Sequence, residues 1–101
     1  MAGLATEASV KRHEDWLKVK LQDPGFAAEY LSAAAADTES AVYLAALRHV
    51  AEAQGMALVA RRAGIPRESL YRALSPKGNP RWSTLAAVLR ALNLRMHTER
   101  V

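Results

Sequence analysis

Arg67, Glu68, Tyr71 and Arg72 recur at a spacing that leaves all four on the outer side of one short helix, with Ser69 near its start. An arginine fork can bridge O6 and N7 of a guanine or pair with a phosphate. Glu68 can accept from cytosine N4 or simply orient an arginine, and Tyr71 can meet a phosphate, touch a thymine methyl or pack half-buried. The plainer alternative is a solvated face on which Glu68 pairs Arg72 at i, i+4. Lys77, Asn79 and Arg81 follow, around the start of another helical stretch. Backbone N–H groups at a helix start attract phosphate, and a nearby cation strengthens the attraction. Read plainly, Gly78-Asn79-Pro80 is only a turn. The chemistry these residue types offer together is contact with double-stranded DNA, in a groove and along its backbone.

Other chemistries find little support. His13, His49 and His97 lie far apart, in no metal-ligand spacing, and there is no His-Glu-x-x-His. His13-Glu14-Asp15 mimics a catalytic cluster, but neighbours on a helix point in different directions. There is no phosphate-binding glycine loop and no Gly-x-Ser-x-Gly. The chain has no cysteine, which removes thiolate chemistry and cysteine-based metal sites and fits a reducing compartment. The expectation is a protein that is not an enzyme and needs no cofactor or metal.

To present such a face, a helix-turn-helix must satisfy several demands within Met56–Ser75, which reads MALVARRAGIPRESLYRALS. The first helix needs a small residue where the second crosses it, and Ala60 supplies one. The turn needs a residue tolerant of positive φ, and Gly64 is one at no steric cost. Val59, Ala63, Ile65, Leu70 and Ala73 fall where they can fill the angle between the helices. An ordinary helical hairpin with a glycine turn meets some of these demands but not all of them together.

A chain of 101 residues makes one domain with a modest core. Its charge is divided. Residues 1–47 hold four basic and seven acidic side chains, and residues 48–101 hold ten basic and three acidic, giving −3 and +7. An acidic front and a basic back suggest two different partners. No apolar run approaches the roughly 20 residues that span a bilayer. The N-terminus shows no basic stretch followed by an apolar one, so the expectation is a cytoplasmic protein without a secretion signal or a membrane role.

Periodicity then divides the chain. Residues 1–9 read as a frayed, flexible start, and residues 10–54 as helices. Val10, Leu17 and Leu21, with Trp16 alongside, give the first helix its stripe. Asp23 is a natural N-cap and Pro24 a natural first helical residue for the second. Phe26, Ala27, Tyr30, Leu31 and Ala34 form the second stripe. Asp37–Ser40 caps a third helix carrying Tyr43, Leu44, Leu47, Val50, Ala51 and Gln54, and Gly55 closes it in the left-handed conformation. Residues 55–93 form the DNA-binding region, with helical pieces at 56–63, 66–75 and about 81–92. Trp82 is read as core or dimer interface. Asn93 stands where glycine usually ends a helix. Leu94-Arg95-Met96-His97-Thr98 alternates, which allows a short strand in the tail 94–101, paired with the same strand of a second copy. The fold class is all-α: a compact bundle of about five to six helices.

Several stretches resemble one bacterial family. They are Gly55-Met56, Leu58-Val59-Ala60-Arg61, Ala63-Gly64, Arg67-Glu68-Ser69-Leu70-Tyr71 and Leu74-Ser75-Pro76-Lys77-Gly78-Asn79-Pro80, continued by Val88-Leu89-Arg90-Ala91-Leu92. Upstream, Leu21-Gln22-Asp23-Pro24 and Ala28-Glu29-Tyr30-Leu31 fit as well. The family is the addiction-module antidote proteins, antitoxins with a lambda-repressor-like (Xre-type) helix-turn-helix. The resemblance covers roughly residues 13–97. It implies a type II toxin–antitoxin role, in which the protein neutralises a RelE-like toxin and represses its own operon. Two positions depart from the family pattern. Ala57 and Pro66 stand where Ser or Thr is usual, and both are read as N-caps that lack their side-chain oxygen.

A single recognition helix reads too few base pairs for a specific site, so a homodimer on a palindromic operator is expected. The rival readings are a stand-alone phage-like repressor without a toxin, and a protein-interaction module that no longer binds DNA.

Overall fold

The computed structural model describes residues 7–101, which form six helices and no strand. They are α1 (Glu7–Lys20), α2 (Pro24–Ala35), α3 (Ser40–Gln54), α4 (Met56–Ala63), α5 (Arg67–Ala73) and α6 (Trp82–Ala91). The flexible start expected over residues 1–9 lies, for residues 1–6, outside the described residues, and α1 already begins at Glu7.

Local chemistry sets most boundaries. Asp23 caps α2, its Oδ2 accepting from the Phe26 N–H at 3.0 Å, and Pro24 takes the first helical position. Asp37 accepts from the Glu39 N–H at 2.8 Å, just ahead of α3. Gly64 closes α4 at φ 70° and ψ 31°, while the Ile65 N–H reaches back to the Ala60 carbonyl at 3.0 Å. Asn93 takes φ 61° after α6, and the Leu94 N–H reaches the Leu89 carbonyl at 2.8 Å. Gly55 is shared: its N–H closes α3 on Ala51 at 2.9 Å, and its carbonyl accepts from Val59 at 3.0 Å to open α4. Its φ of 103° and ψ of 112° lie outside the left-handed helical region expected of it.

One continuous core joins the two halves of the chain. Leu21, Leu47, Val50, Val59, Leu70, Leu74 and Val88 are all less than 2 % exposed. α3 packs on α1, α2 and α4, and α4 packs on α5 and α6. Gln54 Nε2 donates to the Gln22 carbonyl at 3.0 Å and Gln22 Nε2 to the Ala53 carbonyl at 3.3 Å, tying the α1–α2 turn to the end of α3.

One expectation is narrowed and three are corrected. Residues 94–101 form no strand within the chain: the Leu94 N–H turns back to the Leu89 carbonyl behind α6, and the residues that follow take no regular form. Trp82 is not core: it opens α6 on the surface and is 62 % exposed. Ala57 is not an N-cap. Gly55 holds that place, so Ala57 is the second residue of α4. The stripe of α1 is filled only toward its end. Leu21 is buried and Leu17 half-buried, but Val10 and Trp16 are 47 % and 50 % exposed.

Candidate nucleic-acid interface

The inner residues of the α4–turn–α5 unit meet where the pattern puts them. Val59, Ala60 and Leu70 are buried, Ala63 and Ile65 are half-buried against the core, and Ala73 is half-buried. Leu70 alone fixes which side of α5 turns inward, since it is 0 % exposed in a helix of seven residues. Its truncation to alanine would cost about 2–5 kcal/mol, as for other fully buried leucines.

Arg67, Glu68, Tyr71 and Arg72 are therefore turned outward and exposed, while Ser69 is half-buried. The Arg67 guanidinium lies 5.7 Å from the centre of the Tyr71 ring, a cation–π contact that holds the arginine along the helix surface. Arg72 and Glu68 do not pair. Among the described residues the one ion pair is Arg48 with Glu52, at 3.5 Å. Both arginines of α5 thus keep free hydrogen-bonding edges.

α5 starts after Pro66, which occupies the N-cap with no side-chain bond to the orphan N–H groups. At its other end the Ser75 hydroxyl donates to the Arg72 carbonyl at 2.8 Å, and the Gly78 N–H to the Ser75 carbonyl at 2.8 Å. Gly78 lies so close to the last turn of α5 that a Cβ would run into the Ala73 carbonyl. The loop is thereby pressed onto α5, and it carries Lys77 and Asn79, both exposed, to the side of that helix. Arg81, also exposed, is the N-cap of α6 and makes no side-chain cap bond, which leaves the first N–H groups of α6 for another acceptor. Two exposed elements result, an arginine-bearing helix and a cationic helix start, joined by a loop held close to α5.

By sequence Gly78 is an ordinary turn residue; its close approach to Ala73 is a tertiary fact without a local signal. A groove between α1 and α3, bordered by Glu14, Asp15, Lys18, His49 and Glu52, likewise has no local signal. In that front half burial pushes the phenols of Tyr30 and Tyr43 up from their ordinary value of 10.0. The Tyr30 hydroxyl and His49 Nδ1 share a hydrogen bond of 2.9 Å. No helix among the described residues is long and apolar enough to cross a membrane.

A family profile described as "Probable addiction module antidote protein" matches residues 15–100. An uncharacterized protein of Haemophilus influenzae is 41% identical over 70 residues, which cover 69% of this chain and 72% of that protein. No solved structure gives a significant match.

Proposed function

This chain belongs to the family of probable addiction module antidote proteins, and from that premise we propose that it is a DNA-binding antitoxin of a type II toxin–antitoxin system. It neutralises a RelE-like toxin in the cytoplasm and represses its own operon through a lambda-repressor-like helix-turn-helix formed by α4 and α5. Family membership implies a toxin as partner. The observation that carries the DNA-binding half of the reading is α5 itself. Leu70 is fully buried beneath it, and Arg67 and Arg72 stand on its outer face with no carboxylate in salt-bridge reach.

α5 would enter the major groove, where Arg67 or Arg72 reads a guanine edge. Lys77, Asn79, Arg81 and the start of α6 would hold the flanking phosphates and fix the register. A homodimer places two copies of α5 about one turn of DNA apart, roughly 34 Å. Met96, 41 % exposed, and Trp82 offer apolar surface for that contact. The toxin is assigned to the front half, residues 10–54, which carries seven acidic and five basic side chains, leaving the basic half to DNA.

The test has two arms. The protein is co-expressed with the product of the adjoining gene and purified, and its upstream region is footprinted. A stable complex that relieves toxicity, and a symmetric footprint with half-sites about 10 base pairs apart or a multiple of that, are expected. A footprint without a toxic partner would favour a stand-alone repressor. An asymmetric footprint would overturn the placement of α5.

A further inference from the structure

We infer that two copies of this chain pair through the segment that follows α6, running antiparallel, with Arg95 of each copy facing Glu99 of the other. This rests on the homodimer reading and adds to it the surface, the register and the charge pairs. The operator site needs the second copy, because one α5 reads too few base pairs.

The first observation is a backbone without partners. Once the Leu94 N–H has turned back to Leu89, no backbone–backbone hydrogen bond among the described residues engages residues 95–101. A row of unpaired N–H and C=O groups is a template for another extended segment. The segment is nonetheless held in place. Leu94 packs against the core, and the Tyr43 hydroxyl donates to Met96 Sδ at 3.8 Å. A groove of about 380 Å³ runs between the segment and α2, with Ala28, Leu31 and Ala35 on its α2 side. Leu94 and Met96 are thus engaged with the bundle. In an extended segment, alternation then sends Arg95, His97 and Glu99 to the outer side, and all three are exposed.

The second observation is the order of charges. Arg95 and Glu99 stand symmetrically on either side of His97. A two-fold axis through an antiparallel pair sets each residue opposite its reflection, so with His97 opposite itself Arg95 meets Glu99 twice. The same register sets Met96 opposite Thr98, and Leu94 under the aliphatic stem of Arg100. Neighbouring arrangements are worse. A slip of one residue one way sets Arg95 on Arg100, and the other way sets it on Thr98. A parallel pairing sets Arg95 on Arg95 and Glu99 on Glu99. The charge order therefore selects the segment's own reversed copy as its occupant.

Sedimentation equilibrium of the full-length protein is the test. Arg95→Glu and Glu99→Arg each change one exposed side chain, so the circular dichroism of each should match the parent. Either one turns both pairs into like charges and should raise the dimer Kd about tenfold at low salt. The double variant Arg95→Glu/Glu99→Arg restores opposite charges at the parent's net charge. Its Kd should return to within about threefold of the parent, as expected of two side chains in direct contact. Operator affinity should fall and recover in step. Amide hydrogen exchange over residues 95–99 should slow as protein concentration rises. A dimer untouched by the single variants, or a double variant no better than they are, overturns the tail pairing while the homodimer reading stands. Protection of residues 95–99 only when toxin is added also overturns it, and gives the segment to the toxin. A parent protein that stays monomeric on and off the operator overturns both.

Discussion

Gly78 lies against the carbonyl of Ala73, closer than any residue with a Cβ could come. Gly78→Ala must therefore push the loop away from the last turn of α5. A loss of about 1–3 kcal/mol is expected, the usual cost of overpacking a well-packed site. Urea denaturation measures it. DNA affinity should fall as well, because Lys77 and Asn79 ride on the displaced loop.

Gly64 offers a contrast, since a Cβ there would meet nothing within 4 Å, and its demand comes only from a φ of 70°. Gly64→Ala should cost about 1–2 kcal/mol, the price of a left-handed backbone. Gly64→Asn should recover much of that, because asparagine tolerates this region. At position 78 the same asparagine should recover nothing. Melting curves of the four variants separate conformational strain from collision; equal losses for alanine and asparagine at position 64 would count against the left-handed turn.

Asp23→Ala should destabilise the protein by about 1 kcal/mol, because the bond to the Phe26 N–H is lost and the start of α2 is left open. Ala57→Ser should change little, since position 57 lies inside the first turn of α4 and not at its cap. A stabilisation of Ala57→Ser by a full cap's worth would mean that α4 begins later than Met56.

Arg67→Ala or Arg72→Ala should cost about 1–3 kcal/mol of operator affinity and relax base preference where the arginine reads a base. Lys77→Ala or Arg81→Ala should weaken binding to all sequences alike and lower the salt slope by about one unit each. Titrations on operator and scrambled duplexes at several salt concentrations distinguish the two classes. Affinity untouched by loss of both Arg67 and Arg72 would remove α5 from the groove.

Local signals in the sequence carried the helices and their ends. Asp23-Pro24, Gly64 and Asn93 mark boundaries through backbone chemistry that acts within a few residues, so they can be read without knowing the fold. The side of α5 that holds Arg67 and Arg72 was legible for the same reason, because helical spacing ties it to Leu70. What escaped depends on partners distant in the chain. The apolar stripe of α1 shows which face is sticky, but not that Leu21 is buried while Val10 stays 47 % exposed. Trp82 looks like a core residue by type and stands on the surface by position. The bond from Gln54 to Gln22 spans thirty-two positions and has no periodicity to announce it. Ala57 was misplaced because Gly55 serves two helices at once, a sharing that no single-helix rule anticipates.

That sharing bears on how such proteins can be recombined. With Gly55 as the one residue between α3 and α4, and with the core running unbroken across it, the chain offers no linker at which its acidic half could be excised and grafted onto another DNA-binding unit. A working chimera would have to carry α3 and α4 together and cross over at the Asp37–Glu39 turn, or beyond α4. Under the proposed assignment of toxin to the front half and DNA to the back half, a new toxin specificity would arise by substitution on the front half's surface, not by exchange of modules.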